Sequence, residues 1–254
     1  MKKNLTYLNK VAQFSQDYEG YIFIGYIDKN YGPGKPFQNM AAVLHKGLII
    51  ARYAKQLLPF YDVFDEGRYF EPGNKPTILN LFGRKIGICI CEDLWNDKEA
   101  DDYNYHSNPV QEYRKLGADT IISLNSSPFV VGKQYKREKI GKGITVPSGI
   151  DTLIYVNQIG SQDELIFDGN SFVSHLGYIC YPENNIVDVP YGLTPLRYQN
   201  PYNKYSMEQI KEALYIGTKG YIKKNKFRSV VVGSSGGIDS AVTIALSSDA
   251  LGSH

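Results

Sequence analysis

The stretch from Gly83 to Trp95 reads Gly-Arg-Lys-Ile-Gly-Ile-Cys-Ile-Cys-Glu-Asp-Leu-Trp. Its three isoleucines alternate with smaller residues, which is typical of a short buried β-strand, and the acidic pair Glu92-Asp93 predicts a turn directly after it. Cys91 therefore stands where the strand ends. A thiol at such a corner is held by the sheet behind it and faces an opening, as a nucleophile requires. Most cysteines outside disulfides are instead small core residues, and position alone favours neither interpretation.

The composition of the chain is that of an ordinary globular protein, with 254 residues, 43% hydrophobic and 21% charged. That length suffices for one large core and the beginning of another. A formal net charge of +2 gives no reason to expect nucleic acid or a membrane as a partner. No apolar run is long enough for a membrane span, and the first residues lack a secretory pattern. The three cysteines, Cys89, Cys91 and Cys180, show no C-x-x-C spacing, so we expect no disulfide framework, no metal site and a cytoplasmic location.

The residues before this stretch predict short helices and strands, followed by an isolated lysine. Apolar spacing predicts a helix over residues 5–16, a strand over 21–26 and a hairpin over 40–51, whose tip carries a solvated His45. Lys55 follows in a mostly apolar and aromatic segment. Alone, such a lysine is usually a surface residue. Close to a cysteine, it would favour the thiolate and stabilise a developing oxyanion.

Several short motifs together resemble one protein family. They are Lys55 within Lys-Gln-Leu-Leu-Pro, residues 64–70 (Phe-Asp-Glu-Gly-Arg-Tyr-Phe), residues 91–95 (Cys-Glu-Asp-Leu-Trp), residues 125–129 with Gly132-Lys133, residues 155–160 and residues 163–171. In their order and spacing they resemble the glutaminase domain of glutamine-dependent NAD synthetases, a module of the nitrilase superfamily. The resemblance implies a nitrilase-like α-β-β-α sandwich, here without its first strands.

The resemblance also implies a catalytic Glu-Lys-Cys triad that hydrolyses the side-chain amide of glutamine. Cys91 matches the nucleophile and Lys55 matches the lysine. The general-base glutamate of the family lies on an earlier strand, so no residue of this chain is assigned to it, and neither Glu66 nor Glu92 is expected to replace it. The resemblance further implies substrate-binding roles for Tyr61, Glu66, Ser127 and Lys133. By itself, Lys133 belongs to a basic run over residues 133–142, which is usually a solvated face.

The remainder of the chain predicts the end of this domain and the start of another. Residues 171–181 read as a closing hairpin, with Cys180 in the core and His175 structural. The glutaminase domain is expected to cover residues 1–190, and a proline-rich linker residues 191–205. A second domain over 206–254 is predicted to begin with a helix, capped by Ser206, that buries one face: Ile210, Ala213, Leu214, Gly217 and Tyr221.

A glycine-containing loop follows a predicted strand over residues 229–233 and precedes a predicted helix over 241–246. Residues 234–240 read Ser-Ser-Gly-Gly-Ile-Asp-Ser. The glycines let the backbone approach an anion, and the helix start offers unpaired amides, although an isolated Gly-Gly pair is usually just a tight turn. The loop resembles the pyrophosphate loop of ATP-pyrophosphatases. The resemblance implies that ATP pyrophosphate is bound by Ser235, Gly236, Gly237, Asp239 and Ser240, at the opening of a Rossmann-like domain.

Together the two resemblances imply an enzyme that releases ammonia from glutamine and uses it for the ATP-dependent amidation of deamido-NAD. ATP and Mg would be co-substrates, the glutaminase step would need no cofactor, and the full-length enzyme would form a homo-oligomer. We interpret the 254 residues as an internal piece of such an enzyme, inactive in the full reaction. Two alternatives stay open: a stand-alone nitrilase-type amidase, which leaves the loop unexplained, and a non-catalytic relic or subunit that folds with a partner.

Overall fold

The computed structural model describes residues 2–61, 63–100, 104–147, 149–181 and 207–252. The chain divides into two compact units. The first comprises Met1–Asn125, Glu138–Val156 and Phe172–Cys180, and the second comprises Ser126–Arg137, Asn157–Ser171 and Tyr181–His254. The predicted domain boundary at residue 190, the linker over 191–205 and the cap at Ser206 lie outside the described residues.

The first unit begins with a helix and a three-stranded antiparallel sheet. Helix α1 (Lys2–Phe14) precedes strands β1 (Ile22–Lys29), β2 (Phe37–His45) and β3 (Leu48–Ala54), which pair in the order β1-β2-β3. Since alternate side chains of a strand point to opposite faces, β2 contributes to two cores. Met40, Ala42 and Leu44 pack with residues of α1, whereas Ala41 and Val43 pack with isoleucines of residues 83–90. The predicted helix, strand and hairpin are confirmed.

A six-stranded sheet forms the next layer of the first unit. Its order is β11-β10-β7-β6-β5-β4, with bounds β4 (Ile78–Leu81), β5 (Arg84–Ile90), β6 (Thr120–Asn125), β7 (Thr152–Asn157), β10 (Phe172–His175) and β11 (Tyr178–Cys180). Strands β5 and β6 are parallel, while β4–β5, β7–β10 and β10–β11 are antiparallel. The buried strand predicted over the isoleucines is therefore β5, which lies between the edge strand β4 and strand β6.

Two helices cover the outer face of the six-stranded sheet. Helix α2 (Pro109–Lys115) is capped by Asn108, and its Tyr113 hydroxyl donates to the Ile88 carbonyl at 2.5 Å. A Cβ on Gly87 would lie 2.6 Å from the Tyr113 ring, so this close approach requires glycine. Helix α3 (Lys133–Thr145) contacts Phe172 through Gly141. The layers of the first unit are thus helix, sheet, sheet and helix, as predicted.

Two side chains of the first unit differ from their sequence interpretation. His45 is half-buried rather than solvated, because its ring stacks on Tyr21 with 4.3 Å between centroids and its Nδ1 lies 3.0 Å from the Gly20 carbonyl oxygen. Cys180 is exposed and not part of the core, since β11 is a three-residue strand at the edge of the sheet. The predicted hairpin itself is confirmed, and exposed His175 bonds Thr152 at its base.

The second unit packs a helix on a β-hairpin. Strands β8 (Ile159–Gln162) and β9 (Leu165–Asp168) pair antiparallel, and helix α4 (Met207–Lys224) lies against them. The buried residues of α4 are Ala213, Ile216 and Gly220. Leu214 and Tyr221, predicted to be buried, are exposed. A Cβ on Gly220 would collide with the Ser161 hydroxyl, so the helix approaches the hairpin most closely at a glycine and not at the larger apolar residues that the pattern favoured.

Helix α4 is followed by an extended segment, the glycine loop and helix α5 (Ile238–Leu251). The strand predicted over residues 229–233 is not formed in the described residues. A β-strand exists through hydrogen bonds to a neighbouring strand, and here Val231 stays 94% exposed. Lys211 of α4 and Asp249 of α5 form an ion pair at 2.8 Å. Within the described part of the chain, every helix is too short or too polar to cross a membrane.

Candidate active site

Cys91 is the first residue after strand β5 and begins a 3-10 turn over Cys91–Leu94. Its φ is +43°, in the left-handed region that costs a non-glycine residue about 1–3 kcal/mol. The side chain is half-buried. The predicted break of the strand at this thiol is confirmed, and the strained corner is maintained by the structure around it.

Lys55 continues from the end of strand β3 and is 3% exposed, so it is not the surface lysine that its segment alone would suggest. Its backbone is fixed on both sides, because Lys55 N–H donates to the Asn39 carbonyl at 2.8 Å and the Lys55 carbonyl accepts from Gly73 N–H at 2.7 Å. The ammonium Nζ donates to Glu66 Oε1 at 2.6 Å. Glu66 Oε2 in turn accepts from the Asn39 amide at 3.3 Å.

The electrostatic surroundings keep Lys55 charged. Burial disfavours the ammonium, but the Cys91 thiolate and the carboxylates of Glu66 and Asp93 outweigh this effect, so the pKa of Lys55 lies above its ordinary value. The interaction is mutual, and the buried ammonium therefore favours the thiolate form of Cys91. The arrangement supplies two requirements of acyl transfer: a nucleophilic sulfur and a cation for a developing oxyanion.

Cys89, two residues earlier on β5, has the opposite environment. It is fully buried among the core strands. Burial, aided by the negative charge of Asp93, raises the pKa of the Cys89 thiol well above its ordinary value. The two thiols, two residues apart, thus differ in burial and in the charges around them.

Glu92, the residue after Cys91, forms a second polar group with two tyrosines. The buried Glu92 carboxylate accepts hydrogen bonds from Tyr61 at 2.9 Å and from Tyr105 at 2.5 Å. Phe60 lies edge-on to the Tyr105 ring. Tyr61, one of the predicted substrate-binding residues, is therefore oriented by the residue that follows the nucleophile. Both glutamates already have partners, because Glu66 binds Lys55 and Glu92 binds two tyrosines. The expectation that neither acts as the general base stays a prediction.

Asp93 is a residue whose importance the sequence interpretation missed. It is completely buried, and its carboxylate accepts four hydrogen bonds, from the Tyr53 hydroxyl and from the backbone N–H groups of Gln56, Leu57 and Ile90. Burial raises the pKa of Asp93 to about 6, against the lowering effect of these hydrogen bonds. The sequence signal that could have identified Asp93 was its position, as an aspartate just after a buried apolar strand.

The predicted substrate-binding residues Ser127 and Lys133 lie in the second unit. Ser127 is buried, and its N–H donates to Asn157 Oδ1 at 2.9 Å. Lys133 is half-buried at the start of α3. The structure therefore brings Cys91 and Lys55 together with Glu66 in the first unit, and places Ser127 with the residues around α3.

Arg137 anchors the Ser127 segment and was not identified from the sequence. It is 1% exposed and donates to both carboxylate oxygens of Asp168 at 2.9 Å. It also donates to the carbonyls of Ser127 at 2.8 Å and Pro128 at 3.0 Å. The interpretation of residues 133–142 as a solvated basic face is therefore wrong for Arg137. Its partner, Asp168, follows an apolar run in the sequence, and that acidic residue in an apolar context was the signal.

The glycine loop over residues 234–240 is closed by its own serine hydroxyls. The Ser235 and Ser240 hydroxyl oxygens lie 3.2 Å apart, and Ser240 Oγ donates to the Gly237 carbonyl at 2.9 Å. Gly236 has a φ of +82°, which favours glycine. Asp239 lies in the first turn of α5 and is exposed. The amides at the start of α5 are thus presented to solvent, which is a geometry suited to an anion.

The described residues contain no group of three or more His, Cys, Asp or Glu side chains placed to hold a metal ion.

The fold has a counterpart among solved structures. A solved carbon-nitrogen hydrolase from Helicobacter pylori G27 aligns with 70% of this chain and 61% of its own, at a TM-score of 0.56 and 22% sequence identity. At that identity the likeness concerns the fold alone. It confirms the nitrilase-like α/β architecture expected from the sequence.

Higher sequence identity connects the chain to a particular group of enzymes. The glutamine-dependent NAD(+) synthetase of Acinetobacter baylyi is 36% identical over 222 residues, which is 84% of this chain and 39% of the relative. A solved glutamine-dependent NAD+ synthetase from Acinetobacter baumannii, in complex with adenosine diphosphate, has a TM-score of 0.76 at 31% identity and matches 98% of this chain but 47% of that one. Residues 210–254 match the NAD synthase family model. The resemblance drawn from the motifs is confirmed: the chain is related to glutamine-dependent NAD(+) synthetases and spans less than half of the length of these relatives.

Proposed function

We propose that the first unit carries a thiol-dependent glutaminase site, which serves glutamine-dependent NAD(+) synthesis. One observation carries the proposal above the others. A buried, charged Lys55 interacts with a half-buried thiol at a strained strand end, within a carbon-nitrogen hydrolase fold. A core cysteine needs no such cation, and a surface lysine needs no such burial.

In the proposed reaction the sulfur of Cys91 attacks the side-chain carbonyl carbon of glutamine. The carbonyl oxygen becomes an oxyanion, which the Lys55 ammonium stabilises. The oxyanion collapses, the carbon–nitrogen bond breaks, and the leaving nitrogen departs as ammonia after taking up the proton that the thiol released on forming the thiolate. The resulting thioester is hydrolysed by water to glutamate, which restores the thiol. Glu66 holds the ammonium in place throughout, because its carboxylate lies 2.6 Å from Lys55 Nζ.

Substrate binding is proposed for Tyr61, Glu66, Ser127 and Lys133. These roles rest on the motif resemblance, and the positive charge of Lys133 suits the α-carboxylate of glutamine. The general base is not assigned to a residue of this chain, in line with the expectation from the family pattern. Tyr61 is pre-oriented for contact by its bond to Glu92.

The second proposed activity is the use of that ammonia in an ATP-dependent amidation of deamido-NAD. The match of residues 210–254 to the NAD synthase family model supports this assignment. Ser235, Gly236, Gly237, Asp239 and Ser240 would bind the pyrophosphate of ATP, with Mg supplied alongside the nucleotide. The exposed amides at the start of α5 and the left-handed Gly236 fit a phosphate group. We also propose a cytoplasmic location and a homo-oligomeric full-length enzyme.

The alternatives from the sequence are less favoured. A stand-alone amidase would not need residues 207–252, which fold into two helices around the glycine loop. A non-catalytic relic would not need Lys55 to remain charged and buried.

The experiment that tests the proposed function is calorimetric titration of L-glutamine into the Cys91→Ala variant of the 254-residue chain, which removes chemistry and keeps the pocket. We expect saturable binding of glutamine, weaker binding in the Cys91→Ala/Lys133→Met double variant, and no comparable binding of asparagine. Lys136→Met, on the exposed face of the same helix, is the matched control and should bind like the parent. Equal binding of simple aliphatic amides would instead support the amidase, and no binding by a folded variant would contradict the proposal.

A further inference from the structure

The buried carboxylate of Asp93 joins two segments that the proposed chemistry must hold together. Its Oδ1 accepts from the N–H groups of Gln56 at 3.0 Å and Leu57 at 2.9 Å. Its Oδ2 accepts from the Tyr53 hydroxyl and the Ile90 N–H, both at 2.8 Å. A carboxylate offers about four acceptor positions, so all of its capacity is used.

The four donors are distributed in a specific way around the reactive groups. Three of them come from the segment that carries Lys55: Tyr53 precedes it by two residues, and Gln56 and Leu57 follow it directly. The fourth donor, Ile90, is the residue immediately before the nucleophile. One side chain therefore bonds to the chain on both sides of Lys55 and to the chain next to Cys91.

We propose that Asp93 is a positioning residue that fixes the Lys55 ammonium relative to the Cys91 sulfur. This inference deepens the proposed glutaminase site and rests on it. Glu66 holds the head of the lysine side chain, whereas Asp93 holds the backbone from which that flexible side chain extends. Both contacts are needed, because the attraction between the ammonium and the thiolate, and the stabilisation of the oxyanion, weaken as the distance to the ammonium grows. Small displacements of a catalytic group have large effects on rate.

A purely structural role for Asp93 makes a different prediction. Removing a buried hydrogen-bonded carboxylate destabilises a fold wherever it occurs. Asp97 provides the comparison, since it is also completely buried, lies four residues further on, and bonds to Arg114 and Gln111 rather than to the Lys55 segment. If Asp93 is only structural, Asp93→Asn and Asp97→Asn should affect Cys91 alike.

The three cysteines allow the state of the site, the folding of the chain and the activity of the reagent to be measured in one experiment. The 254-residue chain is treated with iodoacetamide over a range of pH, and the alkylation of each cysteine is followed by peptide mass spectrometry. Cys91 reports the site, exposed Cys180 reports the reagent, and fully buried Cys89 reports unfolding. Iodoacetamide shares only the primary amide with glutamine and lacks its α-amino and α-carboxylate groups, and its reaction replaces iodide rather than cleaving an amide, so the result does not require glutamine to be the substrate.

The proposal predicts a coupled effect. Lys55→Met should raise the apparent pKa of the Cys91 thiol by about one to three units, since an opposite charge nearby is removed. Asp93→Asn should slow Cys91 alkylation at neutral pH by about tenfold or more, in the same direction. In the Lys55→Met background, Asp93→Asn should no longer slow Cys91 alkylation, because only the loss of a nearby negative charge remains, and that loss favours the thiolate. Asp97→Asn should leave the ratio of Cys91 to Cys180 alkylation unchanged.

An unchanged Cys91 rate in folded Asp93→Asn overturns the proposal, and so does an undiminished effect in the Lys55→Met background. If Asp93→Asn exposes Cys89 to the reagent, Tyr53→Phe takes its place, because it removes one tie to the Lys55 segment and keeps the carboxylate. The expected result is then a smaller slowing, about two- to threefold, that again disappears without Lys55. A Tyr53→Phe rate equal to the parent rate overturns the proposal as well.

Discussion

Replacing Arg137 with methionine should destabilise the second unit more than any substitution on the exposed face of helix α3. The Arg137 guanidinium is fully buried and gives up two bonds to Asp168 and two to the carbonyls of Ser127 and Pro128 when it is removed. The Asp168 carboxylate would be left buried and uncompensated. Removing one partner of such a pair costs about 3–5 kcal/mol.

The assay is hydrogen exchange of the amides of strands β8 and β9, followed by mass spectrometry in increasing urea. The free energy of opening should fall by about 3–5 kcal/mol in Arg137→Met. The matched control is Lys136→Met, an exposed neighbour on the same helix, which should change it by no more than about 0.5 kcal/mol.

The double variant Arg137→Met/Asp168→Asn sharpens this test. Removing both charges leaves no buried unpaired ion, so its cost should be smaller than the sum of the two single substitutions, with a coupling of about 0.5–3 kcal/mol. Additive costs would show that the two residues do not act as a pair. Equal effects of Arg137→Met and Lys136→Met would refute the assignment of Arg137 as the anchor of the Ser127 segment.

Three further outcomes are expected. Gly220→Ala should lower the unfolding free energy of the second unit, measured in urea, by about 1 kcal/mol, because overpacking against Ser161 exceeds the gain in helix propensity. Ser161→Ala should reverse that loss. Burial raises the pKa of Asp93 to about 6, so the folded chain retains a proton that the unfolded chain releases between about pH 4 and pH 6. The unfolding free energy should therefore fall with rising pH across that window, and Asp93→Asn should remove this slope. Gly236→Ala should weaken pyrophosphate binding in calorimetry by straining a left-handed residue, whereas Gly233→Ala, equally open to solvent but not left-handed, should bind like the parent.

The parts of the fold that sequence reasoning predicted are those encoded locally. The alternation of isoleucines before an acidic pair specified β5 and its break at Cys91, because strand period and turn chemistry act over a few residues. The hairpin of β2 and β3 and the helix after the glycine loop were found for the same reason.

The features that were missed depend on partners far away in the sequence. Arg137 looks like a member of a solvated run until it meets Asp168, 31 residues later. The donors to Asp93 include groups 36 to 40 residues earlier in the chain. Likewise, the valines over residues 229–233 have strand propensity, but a strand also needs a neighbour, and no described strand pairs with them.

Activation of Cys91 by Lys55 within a glutamine pocket is tested by the intact mass of the chain after incubation with an electrophilic glutamine analogue. We expect a single adduct, mapped to Cys91, that is suppressed by glutamine, slowed in Lys55→Met and absent in Cys91→Ala. Exposed Cys180 should stay unmodified under these conditions, since it has no pocket to concentrate the analogue. Modification of Cys180 at the same rate, or labelling of Cys91 that glutamine does not suppress, would contradict the activation of Cys91 within a glutamine pocket.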